Sequence, residues 1–176
     1  MSVLKKYSAD NPANKKRMTL AFAWSKPSHI IASFFASGCI RPAPGTWGTL
    51  AGWLVFVGLS PFISAPWWWA LVAVSFVLGA WASEQTSRDL GVPDHGSIVI
   101  DEVFAVWAVL LTVPEQWGWQ IAAFVAFRFF DIVKCPPANY CDTHFKNGWG
   151  IMIDDAVAAL WAIALLQMAQ WLLGGL

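Results

Sequence analysis

The chain predicts an all-α protein, a compact multi-helix bundle embedded in or seated on a membrane. Three observations carry that expectation. Hydrophobic residues make up 57% of the 176 positions and charged residues 12%, about half the roughly 25% usual in globular proteins. The apolar residues fall in long runs bounded by Pro, Gly and polar clusters, and nowhere alternate convincingly with the period of two that a half-buried strand needs. Thirteen tryptophans suit a lipid–water boundary, where an amphipathic ring is well placed. The length fits a single domain, there is no internal repeat, and no nucleic-acid partner is expected.

Residues 1–26 read as a basic, disordered N-terminal arm, and residues 27–176 as one helical domain. Lys5, Lys6, Lys15, Lys16, Arg17 and Lys26 are six of the eleven basic residues, and they share the arm with one acid, Asp10. Such an arm suits anionic lipid headgroups. Pro27–Ile40 is apolar and reads as a short interfacial helix. Arg41–Thr49 is dense in Pro and Gly and reads as a defined loop. Leu50–Ile63 follows as an apolar helix, about 21 Å long at 1.5 Å per residue. Trp67–Ala82 is a second apolar run. Ser83–Ser97 reads as a polar connector containing Glu84, Asp94 and His95. Val103–Val113 is apolar on all sides and must be buried or lipid-facing. Trp119–Val133 is a helix carrying Arg128 and Asp131, stopped by Pro136-Pro137. Asn139–Gly150 is a polar loop, and Ala156–Leu173 the last helix, roughly 27 Å long. A span of the hydrocarbon core takes about 20 residues, so the shorter runs read as partial insertions or bundled helices.

Thr19–Trp24 is too short for the apolar region of a secretory signal. Cys39, Cys135 and Cys141 are odd in number and lack C-x-x-C spacing, against a disulfide framework or structural zinc. A reducing, cytosol-facing location is expected.

Acids stand where such a chain tolerates them least. Asp101-Glu102, Asp131 and Asp154-Asp155 border or interrupt apolar runs and account for five of the eleven acids. A carboxylate beside lipid or a dry core persists by pairing, by binding a metal or by catalysis. Each adjacent pair could instead cap a helix start, although two acids exceed what one cap requires. Asp131 has Arg128 and Lys134 three residues to either side, within reach on a helix. A local salt bridge is one reading. The other makes Asp131 a cation ligand, with Arg128 or Lys134 neutralising phosphate. Oxygen ligands favour magnesium, with manganese as an alternative, over zinc. Gly45, Thr46 and Thr49 offer amides and hydroxyls for a phosphate nest, or simply a tight connector. Glu84 and His95 are outer-shell candidates, His95 more readily a loop hydrogen-bonder.

Absent motifs narrow the chemistry. There is no P-loop, no H-E-x-x-H and no G-x-S-x-G elbow. No Cys is followed six residues later by Arg, and no D-x-D opens an aspartyl-phosphate site. Water activated by a metal is the simple nucleophile that remains.

Several segments, in order, carry a resemblance: Ser37-Gly38, Ala43-Pro44-Gly45-Thr46-Trp47-Gly48-Thr49, Asp94-His95-Gly96-Ser97-Ile98-Val99, Asp101-Glu102, Phe127-Arg128-Phe129-Phe130-Asp131 with Lys134, and Gly150-Ile151-Met152-Ile153-Asp154-Asp155. Across roughly Ile30 to Leu173 the chain resembles the phosphatidylglycerophosphatase A family of bacterial inner-membrane lipid phosphatases. The resemblance implies magnesium-dependent removal of the terminal phosphate of phosphatidylglycerophosphate to give phosphatidylglycerol, in phospholipid biosynthesis. It implies a site facing the cytoplasm. Asp101, Glu102, Asp131, Asp154 and Asp155 would then hold the metal, with Asp101 or Glu102 orienting the attacking water. Two departures stand out. Val103-Phe104-Ala105 lacks a glycine the family commonly has there, and Lys134-Cys135-Pro136-Pro137 replaces Lys-Pro-x-Pro. Two alternatives stay open: a phosphatase for another lipid phosphate such as phosphatidic acid, and a cation-binding membrane transport or scaffold protein.

Overall fold

A computed structural model of the chain describes residues 17–136 and 147–174. Among them are seven α-helices, a single 3-10 turn and no strand. The helices are α1 (Leu20–Ala23), α2 (Pro27–Ala32), α3 (Pro44–Leu59), α4 (Ala65–Leu90), α5 (Ile100–Leu110), α6 (Trp117–Val133) and α7 (Gly148–Leu172), with the 3-10 turn at Ser37–Cys39.

The all-round apolar segment becomes the axis of the fold. Every residue of α5 except Glu102 is buried, and α3, α4, α6 and α7 all pack on it. Phe34, Phe56, Trp68 and Trp107 stack tilted or edge-on beside it, and the Trp107 indole donates to the Gly52 carbonyl at 2.8 Å. Close approach of α3 depends on its glycines. A Cβ at Gly48 would come within 2.5 Å of Val99 Cβ, and one at Gly52 within 3.3 Å of Val103 Cα.

Several boundaries differ from the sequence expectation. The Pro/Gly-dense segment expected as a loop is helical from Pro44 onwards. Pro44 occupies the first turn, where its missing N–H costs nothing. The glycines form the face against α5, and packing overrides their low propensity. The expected polar connector is helical as far as Leu90. Glu84–Arg88 pair at i,i+4 (2.8 Å), Gln85 donates to Asp89, and the stop is Gly91 in the left-handed conformation (φ 67°), which glycine adopts without a Cβ penalty. The last helix starts at Gly148, capped by the Asn147 side chain accepting from the Gly150 amide at 2.9 Å. The rest of the expected 139–150 loop, Cys141 included, and residues 1–16 of the expected arm lie outside the described residues. Residues 17–26 join the fold: Met18 and Ala23 are buried against Ala36 and Leu90, and Lys26 pairs with Asp89 at 2.7 Å.

The corrected lengths matter. At 26 and 25 residues, α4 and α7 would each run for about 38 Å. Both are apolar and long enough to cross a membrane. The outside of the bundle is apolar too. Trp67, Leu71, Val74, Leu78 and Trp81 form an exposed stripe on α4, and Trp117, Ile121, Val125 and Phe129 another on α6.

Candidate active site

The acids converge at one end of the bundle, where α3, α5 and α7 begin and α4 and α6 finish. Asp101 and Glu102 lie in the first turn of α5. Val99, just before them, donates its amide to the Ala32 carbonyl at 2.8 Å, which ties that turn to α2. Asp154 and Asp155 lie in the second turn of α7, past the Asn147 cap, so they cap nothing. Asp131 sits in the last turn of α6.

Within this end the carboxylates divide. One oxygen each of Asp101, Glu102 and Asp155 lie within 4.8 Å of one another. Asp101 Oδ1 and Asp155 Oδ2 have no hydrogen-bond partner among the described residues. Burial pushes the Asp101 carboxyl well above the usual carboxylate range, and the neighbouring Glu102 and Asp155 push it further. A buried anionic trio of this kind is unfavourable by itself and becomes favourable around a cation. Its donors are hard oxygens, which fit magnesium or manganese. These three residues could hold such an ion.

Asp131 and Asp154 have protein partners instead. Arg128 Nη1 lies 2.6 Å from Asp131 Oδ2 and 3.5 Å from Glu102 Oε1. Lys134 Nζ donates to Asp154 Oδ2. Arg128, Asp131, Lys134 and Asp154 have side chains at most 12% exposed, so these pairs are not solvated surface bridges. They remain in electrical contact with the trio, because Asp131, Asp154 and Lys134 all act on Asp155.

Opposite the trio stands the start of α3. A Cβ at Gly45 would overlap Glu102 Oε1 and come within 3.1 Å of Arg128 Nη1. A side chain there would have to push the Glu102 carboxylate aside, so glycine permits the close approach. The expected nest is thus a helix N-terminus, itself suited to anions. Its hydroxyls are not equivalent. Thr49 is fully buried and donates its hydroxyl to the Gly45 carbonyl at 2.7 Å. Thr46 stays partly exposed in the first turn, where its amide donates to the Ala43 carbonyl.

The two outer-shell candidates serve the backbone. Glu84 accepts from Arg88 and from the Gly148 amide at 2.8 Å, so it anchors the start of α7. His95 is fully buried, and its Nδ1 accepts from the Ser97 amide at 3.1 Å, which shapes the turn leading into α5. Asp94, part of the connector in the sequence reading, has a charge that acts on Asp101 and a left-handed backbone (φ 49°). Its position directly before His95-Gly96 was the available signal.

The chain is similar to known proteins over most of its length. The family model for phosphatidylglycerophosphatase A matches residues 30–170. A Haemophilus influenzae protein named phosphatidylglycerophosphatase A is 46% identical over 149 residues, covering 84% of this chain and 91% of the relative. The Escherichia coli K12 protein of the same name is 36% identical over 166 residues, covering 93% and 96%. A Bacteroides thetaiotaomicron protein whose name proposes a phosphatidylinositol-3-phosphatase is 38% identical over 152 residues, covering 82% and 94%. No solved structure matches the chain.

Proposed function

The chain belongs to the phosphatidylglycerophosphatase A family, and on that premise we propose that it hydrolyses the terminal phosphate monoester of phosphatidylglycerophosphate to phosphatidylglycerol, for phospholipid biosynthesis, with magnesium. The observation that carries this reading is the juxtaposition of the Asp101–Glu102–Asp155 trio with Arg128 and the start of α3. One side accepts a cation and the other an anion. Bound at the trio, magnesium would supply Lewis-acid polarisation of the phosphate and a more acidic water.

The chain's own residues have separate tasks. Arg128 and the α3 N-terminus, with Thr46, attract and orient the phosphate. Asp131 holds the guanidinium that also reaches Glu102, and Lys134 with Asp154 fixes the junction of α6 and α7. Asp101 or Glu102 accepts the proton of the attacking water, which needs one of them ionised. Gathering at one end of the bundle favours this reading over a transport path, whose acids would lie along the span.

The same end sets the proposed orientation. All six described Lys and Arg lie at or within two turns of it, and among the described residues only Glu115 has a charged side chain at the opposite end. A basic end faces the cytoplasm in a membrane protein. With the apolar outer stripes in anionic lipid, the site then sits at the cytoplasmic face of the bacterial inner membrane. The Bacteroides relative's name favours testing a wider headgroup range.

The test is phosphate release by the purified full chain in detergent micelles from phosphatidylglycerophosphate, phosphatidic acid and a phosphoinositide. Release should be greatest from the first, stop in EDTA and return with magnesium or manganese. Turnover that persists in EDTA, or no release from any of the three, would overturn the proposal.

A further inference from the structure

Beside the acid-lined end, the chain builds an apolar groove of about 510 Å³ between α1, the turn after α2 and one side of α3. Leu20, Trp24, Phe34, Phe35, Ile40 and Val55 line it. The turn forming its wall is held against local preference. Phe34, Phe35 and Ala36 are consecutive non-glycine residues with φ of 42°, 54° and 66°, a conformation that side chains disfavour. The result leaves Phe35 65% exposed, so the fold accepts both strain and an uncovered aromatic ring at this place.

We propose that this groove receives an acyl chain of the glycerophospholipid whose phosphate enters the acid-lined site. This deepens the lipid phosphatase reading and rests on it. Three observations select that occupant. The first is continuity: α3 opens at Gly45 beside Glu102 and Arg128, and the same helix supplies the groove floor at Ala51 and Val55. Those two residues are about 9 and 15 Å along the helix from Gly45. They lie three residues beyond Gly48 and Gly52, hence roughly 60° around the helix from the face packed on α5. The second is direction. From the charged end, α3 runs towards the end where Glu115 is the only described charge. A chain laid along it descends from headgroup level into the apolar layer. The third is charge. Exposed Arg41 directly follows the lining residue Ile40, so a basic residue flanks an apolar floor, which complements an anionic headgroup on an apolar tail.

The experiment compares kcat/KM for long-chain and short-chain phosphatidylglycerophosphate, using the full-length chain with magnesium in one detergent. Wild type should prefer the long-chain substrate by roughly tenfold or more. Ala51→Phe fills the groove and should bring that ratio close to one with short-chain turnover unchanged. Ile40→Ala removes lining without crowding the core and should lower the ratio in the same sense. A ratio unmoved in both variants overturns the inference, and this is the result expected if a protein partner or a second copy occupies the groove. Equal loss on both substrates in both variants also overturns it, because that marks a structural role. Wild-type protein inert on both substrates removes the phosphatase reading and this inference with it.

Discussion

Asp131 and Asp154 each meet a cation supplied by the protein, whereas Asp101 and Asp155 meet each other and Glu102. Both sets are buried at the same end of the bundle. In the first set each carboxylate has an ion-pair partner within the chain. In the second, negative charges approach one another with no basic residue placed between Asp101 and Asp155 among the contacts described. Carboxylates of the first kind are matched by the protein's own cations, and those of the second are the ones proposed to hold magnesium.

The largest effect should come from the second set. Asp155→Asn should lower magnesium-dependent phosphate release by about a thousandfold, the equivalent of several kcal/mol of transition-state stabilisation. Thermal unfolding in EDTA should show no loss of stability, since one repelling charge has gone. A variant that unfolds while metal-free would erase the distinction between the two sets. The first set should behave oppositely. Lys134→Met leaves Asp154 buried without its cation and should cost about 3 kcal/mol in denaturant unfolding, part of it recovered in the Lys134→Met/Asp154→Asn double variant. Equal stability of Lys134→Met and wild type would show that this pair contributes nothing structural. The finest test uses two glycines of α3. Gly45→Ala should displace Glu102 and reduce turnover about 10–100-fold, as disturbed support of a metal ligand does. Gly58→Ala meets nothing within 4 Å and should raise stability by about 0.5–1 kcal/mol without touching activity. Similar outcomes at both positions would mean that the close approach at Gly45 is unimportant.

The apolar cores of α3 to α7 were legible because runs of that length and composition have few other folds to adopt. Their ends were less so. Pro44 and two glycines read as a loop because local preference is all a sequence displays there, while the value of Gly45 and Gly48 lies in the Glu102 and Val99 side chains they approach. The polar end of α4 carried a readable signal in the i,i+4 spacing of Glu84 with Arg88 and Gln85 with Asp89, followed by Gly91. The partners of the charges were not legible. Arg128 and Lys134 are equally far from Asp131 along the chain, yet only Arg128 pairs with it in the contacts described. Lys134 ends α6 in a left-handed conformation (φ 51°) and meets Asp154 on α7 instead.

The amino-acid sequence alone determined that the protein is helical and rich in apolar surface, and that a few carboxylates stand in costly surroundings. Those properties follow from composition and local order, which every conformation of the chain shares. Only the tertiary structure decided which three acids crowd together, which two are neutralised and how closely Gly45 approaches Glu102. Such outcomes depend on distances between helices far apart in the chain, and packing around α5 sets those distances.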